Sequence, residues 1–234
     1  RAEQAYCVFE YIYFAREDAV MNGRLVASER VRIGKRLAAT FRATGLQPDI
    51  VIDVPSSAYF FASGLAEELG VPYRRGLAKN RHVGRSFITP GQHQREAMVS
   101  KKLNPIRDII RGRKVAVVDD SIVRGTTARL LVEMLRKAGA TEVYVVSAAP
   151  PIKHPCIYGI DMSARGEIIA AHNEIKDVET YLGADAVVYQ RLEDLQDLYR
   201  DLPCCYACFS GEYPTGATAE TLAEIEAEKL ASKR

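Results

Sequence analysis

The chain has no apolar run approaching the roughly 20 residues that a membrane-spanning helix needs. Its opening, RAEQAYCVFE, also lacks the apolar stretch of a secretory signal. Both absences lead to the expectation of a cytoplasmic protein with no membrane partner. Cysteine is scarce, five in 234 residues, an odd number sparsely spread. That usage suits reduced thiols or metal ligands better than a disulfide framework. No internal repeat or low-complexity block appears, and neither GxxxxGK[ST] nor GxGxxG occurs, which removes the P-loop and the dinucleotide fingerprint. Net charge is small as well, +2 from 32 basic and 30 acidic residues. The first residue is Arg1 rather than Met, and the chain is expected to be a processed product or a fragment of something longer.

What is present is ordinary globular material, 47% hydrophobic and 26% charged, enough for one sizeable core. Its charge is unevenly placed. From Arg74 to Lys114 there are 12 Lys or Arg against two acids, Glu96 and Asp108, a local +10 that leaves −8 elsewhere. This segment also carries His82 and His93, and it reads as an anion-handling region. Nucleic acid calls for a basic domain overall and for interleaved aromatics, whereas Phe87 is the only aromatic here. A compact polyphosphate fits better, and no nucleic-acid partner is expected.

Short apolar runs alternate with helical patterns. DIVIDVP, from Asp49 to Pro55, is β-branched and bounded by prolines, as a buried parallel strand should be. Ahead of it Ile33, Leu37, Ala38 and Phe41 share one helical face. A second helix is expected from Ser57 to Leu69, closed by Gly70 and Pro72. KVAVVDD, from Lys114 to Asp120, is the next strand, followed by a helix with the stripe Leu130, Leu131, Met134, Leu135 and Ala138 that ends at Gly139. EVYVVSAAPP and ADAVVYQ add two strands with an amphipathic stretch between them. The order βαβαβ predicts an α/β fold, a parallel sheet covered by helices on both faces. The roughly 40 residues from Arg75 to Arg113 show no core stripe, and a segment that long predicts a moving lid or hood. After Gln190 come a short helical pattern, Leu192, Leu195 and Leu198, and the cluster PCCYAC. The expected organisation is a main domain over 1–199, a cysteine-containing segment over 200–216 packed on it, and an exposed helix or tail over 217–234.

The main chemical signal is VAVVDDSIVRGTT, residues 115–127. A buried strand delivers two carboxylates at its C-terminal edge, a turn with Gly125 follows, and hydroxyls and free amides open a helix. Ligands of open α/β sheets sit beyond the carboxyl ends of the strands, and a helix N-terminus favours phosphate. Ser121, Arg124, Gly125, Thr126 and Thr127 form the expected cradle. Asp119 and Asp120 would repel a phosphate, so they meet sugar hydroxyls, a metal ion or positive charge developing on carbon. The tail supplies a second signal. Cys205 and Cys208 form a CxxC, whose spacing fits a redox pair, half of a metal site or two buried thiols alike.

The 115–127 segment resembles the phosphoribosyl pyrophosphate signature of the type I phosphoribosyltransferases. FEYIYFAR (Phe9 to Arg16), KNRHVGRSF (Lys79 to Phe87) and HPCIYGIDM (His154 to Met162) narrow the resemblance to the synthase half of the amidophosphoribosyltransferase family, over about Cys7 to Thr215. The resemblance implies the type I fold with a flexible hood loop from Arg85 to about Lys102. It implies transfer of an amino group, as ammonia, to carbon 1 of phosphoribosyl pyrophosphate, with release of pyrophosphate, in the first step of purine biosynthesis. By motif, Asp119, Asp120 and Arg85 would serve catalysis, and Lys79 and Arg81 would contact the substrate with the cradle residues. Ser57, Asp119 and Asp120 match the family's magnesium positions. Cys7, Cys156, Cys205 and Cys208 match the ligands of its [4Fe–4S] cluster, with Cys204 left over and His154 keeping a zinc site open as the alternative. A homo-oligomer is implied too. The family's N-terminal glutaminase domain is expected to be absent from this chain. Two departures stand out: Pro55 is followed by Ser56, Ser57 and Ala58 where the family has an acid, and Ala15-Arg16-Glu17-Asp18-Ala19 stands where it has ARPDS. A ligand-sensing regulator without turnover and a salvage transferase acting on a free base are the competing readings.

Overall fold

The computed structural model describes residues 4–80, 103–160 and 165–218, with 221, 222 and 225. The chain opens with a two-residue strand, β1 (Tyr6–Cys7), and a π-helical turn over Glu10–Phe14. A small hairpin follows, β2 (Val20–Met21) and β3 (Arg24–Leu25). Its turn is Asn22-Gly23, with φ of 50° and 74°. Asn-Gly tolerates two successive positive φ angles, which is what a two-residue turn between twisted strands requires.

Helix α1 (Val26–Ala43) buries Val26, Ile33, Leu37, Ala38 and Phe41 at helical spacing. After β4 (Ile50–Asp53), α2 (Tyr59–Leu69) stops at Gly70, whose left-handed φ of 71° lets its N–H reach the carbonyls of Ala66 and Glu67. The expected start at Ser57 is two residues early. α1 and α2 approach closely because glycine faces backbone at both crossings. A Cβ on Gly34 would lie 2.1 Å from the Phe61 carbonyl oxygen, and one on Gly64 2.3 Å from that of Val31.

The long basic segment is not featureless. It contains β5 (Leu77–Lys79), β6 (Leu103–Pro105), antiparallel to β5, and a single turn, α3 (Arg107–Ile110). The expected hood loop falls between β5 and β6, and Arg81, Arg85 and the segment to Lys102 lie outside the described residues. Strand β7 (Lys114–Asp119) leads to α4 (Thr126–Lys137), and β8 (Glu142–Ser147) follows. In α4 the buried face is Ala128, Leu131, Val132 and Leu135, so the stripe is rotated from the expected one: Leu130 and Met134 are only half-buried. Two 3₁₀ turns, Arg165–Glu167 and Ile169–Ala171, precede α5 (Ile175–Leu182), β9 (Ala186–Tyr189) and α6 (Leu192–Leu198). The tail contributes β10 (Cys204–Cys205), parallel to β1, and a last turn, α7 (Ala207–Ser210).

The central sheet runs β4-β7-β8-β9, all parallel, with continuous apolar strands as a sheet covered on both faces demands. On the far side of β4, Tyr73 makes a parallel bridge to Val51, sealed by Val51 N–H to Pro72 O at 3.0 Å and Arg74 N–H to Val51 O at 2.9 Å. The chain therefore leaves β4 toward Tyr73 in one direction and leaves β7 toward β8 in the other. Right-handed crossovers put α2, with α1 against it, on one face and α4 and α5 on the other. The order reverses between β4 and β7, and the crevice beyond their carboxyl ends is where such sheets bind ligands.

Candidate active site

Asp119 ends β7 at that crevice and Asp120 follows it. The turn is tight: the Asp120 N–H donates to Asp119 Oδ1 at 2.9 Å, and the Ser121 hydroxyl donates to Asp120 Oδ1 at 2.9 Å. β8 braces the pair from below, with Ala148 N–H on Asp119 O (3.0 Å) and Ala149 N–H on Asp120 O (2.9 Å). Burial pushes the Asp119 carboxyl well above the usual carboxylate range, and the adjoining Asp120 adds to the rise. Asp120 is raised by burial too, opposed by hydrogen bonds from Ser57 and Ser121 and by the charge of Arg30. Two acids held above their ordinary range form a site that gains from a cation or from polyhydroxyl donors.

Ser57 therefore reaches Asp120 from the loop after β4. The same loop contains a cis Pro55–Ser56 peptide and Ser56, whose hydroxyl oxygen accepts from Lys79 Nζ at 3.4 Å. Ser57, Lys79, Asp120 and Ser121 thus converge on one crevice. Among the described residues no three His, Cys, Asp or Glu side chains converge on a single ion.

The cradle beyond the acid pair is built as a turn into a helix. Gly125 is buried with φ +73°, and a Cβ there would meet Ile169 Cδ1 at 2.9 Å and Tyr181 Cε1 at 3.1 Å. Among the described residues no side chain caps α4, which leaves Thr126, Thr127 and the first helix amides available to an anion. Arg124 points elsewhere, paired with Glu167 at 2.6 Å. The Ile169 N–H holds Val123 O at 2.9 Å, so the segment after residue 165 anchors the cradle on its outer side.

Arg30 is the site residue that the sequence did not disclose. It is buried on α1 and donates to the carbonyls of Tyr11 (2.9 Å), Tyr13 (3.3 Å) and Ala15 (2.9 Å), with its guanidinium 5.8 Å from the centre of the Phe61 ring. It closes the end of the Glu10–Phe14 turn and supplies Asp120 with a positive neighbour. Its only sequence signal is position: an arginine on the apolar face of α1.

The cysteines form a second cluster. β1 and β10 pair with Cys7 opposite Cys205, and the N–H groups of Lys153 and His154 both hold the Cys208 carbonyl, at 2.9 and 3.0 Å, which brings Cys156 alongside. No disulfide joins any of the five cysteines. Burial pushes Cys7 up to about 11 and raises Cys205 and Cys208. Repulsion among Cys7, Cys156, Cys205 and Cys208 as thiolates, felt in every pairing, adds to this. Cys204 lies beside Cys7, Cys205 and Tyr206. The four thiols lie close enough to feel one another's charge, and among the described residues no three of them are placed to hold a single metal ion.

A doubly wound sheet with an acid pair and an open helix N-terminus at its switch point defines a class, the α/β domains that seat a phosphorylated ligand beyond the strand ends. The model of the phosphoribosyl transferase domain family matches residues 24–159, more than half of the chain, and the chain belongs to that family. Amidophosphoribosyltransferase of Pyrococcus horikoshii is 48% identical over 217 residues, which are 93% of this chain and 47% of that protein. The solved glutamine phosphoribosylpyrophosphate amidotransferase of Bacillus subtilis, complexed with ADP and GMP, superposes with a TM-score of 0.79 at 46% identity, over 90% of this chain and 47% of that one. A structure described as the allosteric regulatory enzyme of purine biosynthesis gives 0.82 at 43% identity, over 95% of this chain and 49% of that one. The chain spans about half the length of the curated relatives it matches.

Proposed function

We propose that the protein transfers an amino group, delivered as ammonia, to carbon 1 of phosphoribosyl pyrophosphate, giving phosphoribosylamine and pyrophosphate at the start of purine biosynthesis. The observation that carries this reading is the acid pair Asp119–Asp120 set against an open, hydroxyl-lined helix start, in a chain whose high-identity relatives are named for that activity. Ser121, Gly125, Thr126, Thr127 and the α4 amides take the 5′-phosphate, and the acid pair takes the ribose hydroxyls. Lys79 takes the pyrophosphate, with Arg81 and Arg85 assigned to the same task by motif alone. Nitrogen forms its bond to carbon 1 with its lone pair while the carbon–oxygen bond breaks and its electrons leave with pyrophosphate, and the protonated amine then gives up one proton to pyrophosphate or water. Asp119 and Asp120 stabilise the positive charge that develops on the sugar during this exchange. The work is positioning and electrostatics, with no covalent nucleophile.

Ser57, Asp119 and Asp120 would hold magnesium, which, when bound with the substrate, supplies neutralisation of the leaving group. Cys7, Cys156, Cys205 and Cys208 would hold a [4Fe–4S] cluster that ties the chain's opening to its tail and takes no part in the chemistry. Among the described residues no helix is long and apolar enough to cross a membrane. A cytoplasmic homo-oligomer is the working state that this reading assigns. The deciding experiment is an anaerobic assay of pyrophosphate release with ammonia, glutamine or free purine and pyrimidine bases as acceptor. Release with ammonia is expected, and preference for a free base would overturn the assignment.

A further inference from the structure

The loop between β4 and α2 runs from Val54 to Ala58 and carries no charge of its own, only Ser56 and Ser57. A neutral loop can hold a polyanion only through accurately placed amides and hydroxyls, so what fixes its two ends matters. Both ends are tied to one residue. At the start, Asp53 is buried, 5% exposed, and its Oδ1 accepts a 2.9 Å hydrogen bond from the Tyr73 hydroxyl. At the far end, the Tyr59 ring stands edge-on to the Tyr73 ring, with centroids 5.4 Å apart and planes at 79°. Tyr73 is itself fixed by its backbone bridge to Val51.

We infer that Tyr73 is a positioning residue that clamps both ends of the 54–58 loop and so sets the affinity of the site for pyrophosphate. The register explains the reach of the effect. Asp53 lies beside Val118, one residue short of the acid pair, and Val54 N–H continues the pairing to Val118 O at 2.9 Å. A loop released at Asp53 would carry Ser57 away from Asp120 and Ser56 away from Lys79. The α4 cradle on the other side of the crevice meets these contacts only through the Ser121 hydroxyl on Asp120, while Gly125, Thr126 and the helix amides stand apart from them, so a phosphate seated there should feel the change little.

This inference rests on the functional reading above, in which Lys79, the partner of Ser56, takes the pyrophosphate and Ser57 helps hold its magnesium, and the test separates the two. Binding of magnesium pyrophosphate and of ribose 5-phosphate is measured by calorimetry on the purified protein and its variants. Tyr73→Phe keeps the ring and removes one hydroxyl. It is expected to weaken pyrophosphate about tenfold, the scale of one hydrogen bond to a charged group, and to leave ribose 5-phosphate within about twofold. Asp53→Ala should reproduce that loss, Asp53→Asn, whose amide oxygen still accepts, should recover most of it, and the double variant Tyr73→Phe/Asp53→Ala should be no weaker than either single one. Tyr59→Leu, at an exposed position, tests the other end and should also weaken pyrophosphate selectively. Equal loss of both ligands, unchanged pyrophosphate binding in Tyr73→Phe, or additive losses in the double variant would each overturn the clamp. Failure of the unaltered protein to bind either ligand would instead overturn the functional reading beneath it.

Discussion

Cys7 and Cys205 sit opposite each other as register partners of a parallel two-stranded pair that joins the chain's opening to its tail. Two strands of two residues have almost no stability of their own. What holds them is packing, including the Phe9 ring stacked on Phe209 at 5.7 Å, and, in our reading, a cluster between the thiols.

The cluster has a direct signature. Protein purified without oxygen is expected to be brown, with broad visible absorbance and near-stoichiometric iron and sulfide. Cys7→Ser, Cys156→Ser, Cys205→Ser and Cys208→Ser should each lose iron. Cys204→Ser should retain it, because Cys205, not Cys204, is the register partner of Cys7. Stoichiometric zinc in place of iron would refute the assignment, and loss of iron in Cys204→Ser would shift the ligand register by one.

Asp119 should trade stability for function. Its folded carboxyl lies well above the unfolded value of about 3.9, so the folded state binds its proton more tightly than the unfolded chain. The stability this contributes is fully present below about pH 3.9 and is lost as pH rises through the folded value. Asp119→Asn, uncharged throughout, is therefore expected to abolish turnover while raising the ligand-free melting temperature at pH 7 by roughly 2–5 °C. Calorimetric scans should show that gain shrinking toward pH 4. A melting temperature lowered at pH 7 would contradict the burial of charge at this site.

The sheet and its helices were legible because their periods were. Strands β4, β7 and β8 are continuous apolar runs, and α1 shows its core face in the spacing of Ile33, Leu37 and Phe41. The acid pair and Gly125 were legible because strand, turn and helix start follow one another without a break. Boundaries failed where a side chain had business elsewhere: Ser57 reads as a helix start, yet its hydroxyl is drawn to Asp120 and the helix begins at Tyr59. Arg124 reads as a cradle residue, and its partner Glu167 comes from a distant segment that no local pattern announces. Arg30 and Tyr73 were missed for the same reason, since each acts on groups brought to it only by folding. The Asn22-Gly23 hairpin, by contrast, was there to be read.

Arg30 makes the cost of that omission measurable. Replacing it by Met leaves the carbonyls of Tyr11, Tyr13 and Ala15 without their donors and removes the cation near Asp120. Urea unfolding of Arg30→Met should show a loss of roughly 2–4 kcal/mol, from buried acceptors left unsatisfied. Arg30→Lys, with one point charge in place of a planar fork, should recover only part of it. A change within about 0.5 kcal/mol, the range of ordinary surface substitutions, would show that water replaces the guanidinium without penalty.

Gly125 gives the most confined test of the cradle. Its φ of +73° lies in the left-handed region, where an L side chain costs about 1–2 kcal/mol. The space is closed as well, since a Cβ would meet Ile169 Cδ1 at 2.9 Å and Tyr181 Cε1 at 3.1 Å. Gly125→Ala must therefore either carry the strain or move the turn, and moving the turn displaces Thr126 and the first amides of α4. Ribose 5-phosphate binding should weaken more than tenfold, and magnesium pyrophosphate, held from the opposite loop, should weaken far less. Adding Ile169→Ala relieves the contact but not the backbone strain, so it should restore stability in part. Full recovery of phosphate affinity in that double variant would mean that crowding against Ile169, and not the left-handed turn, sets the geometry of the cradle.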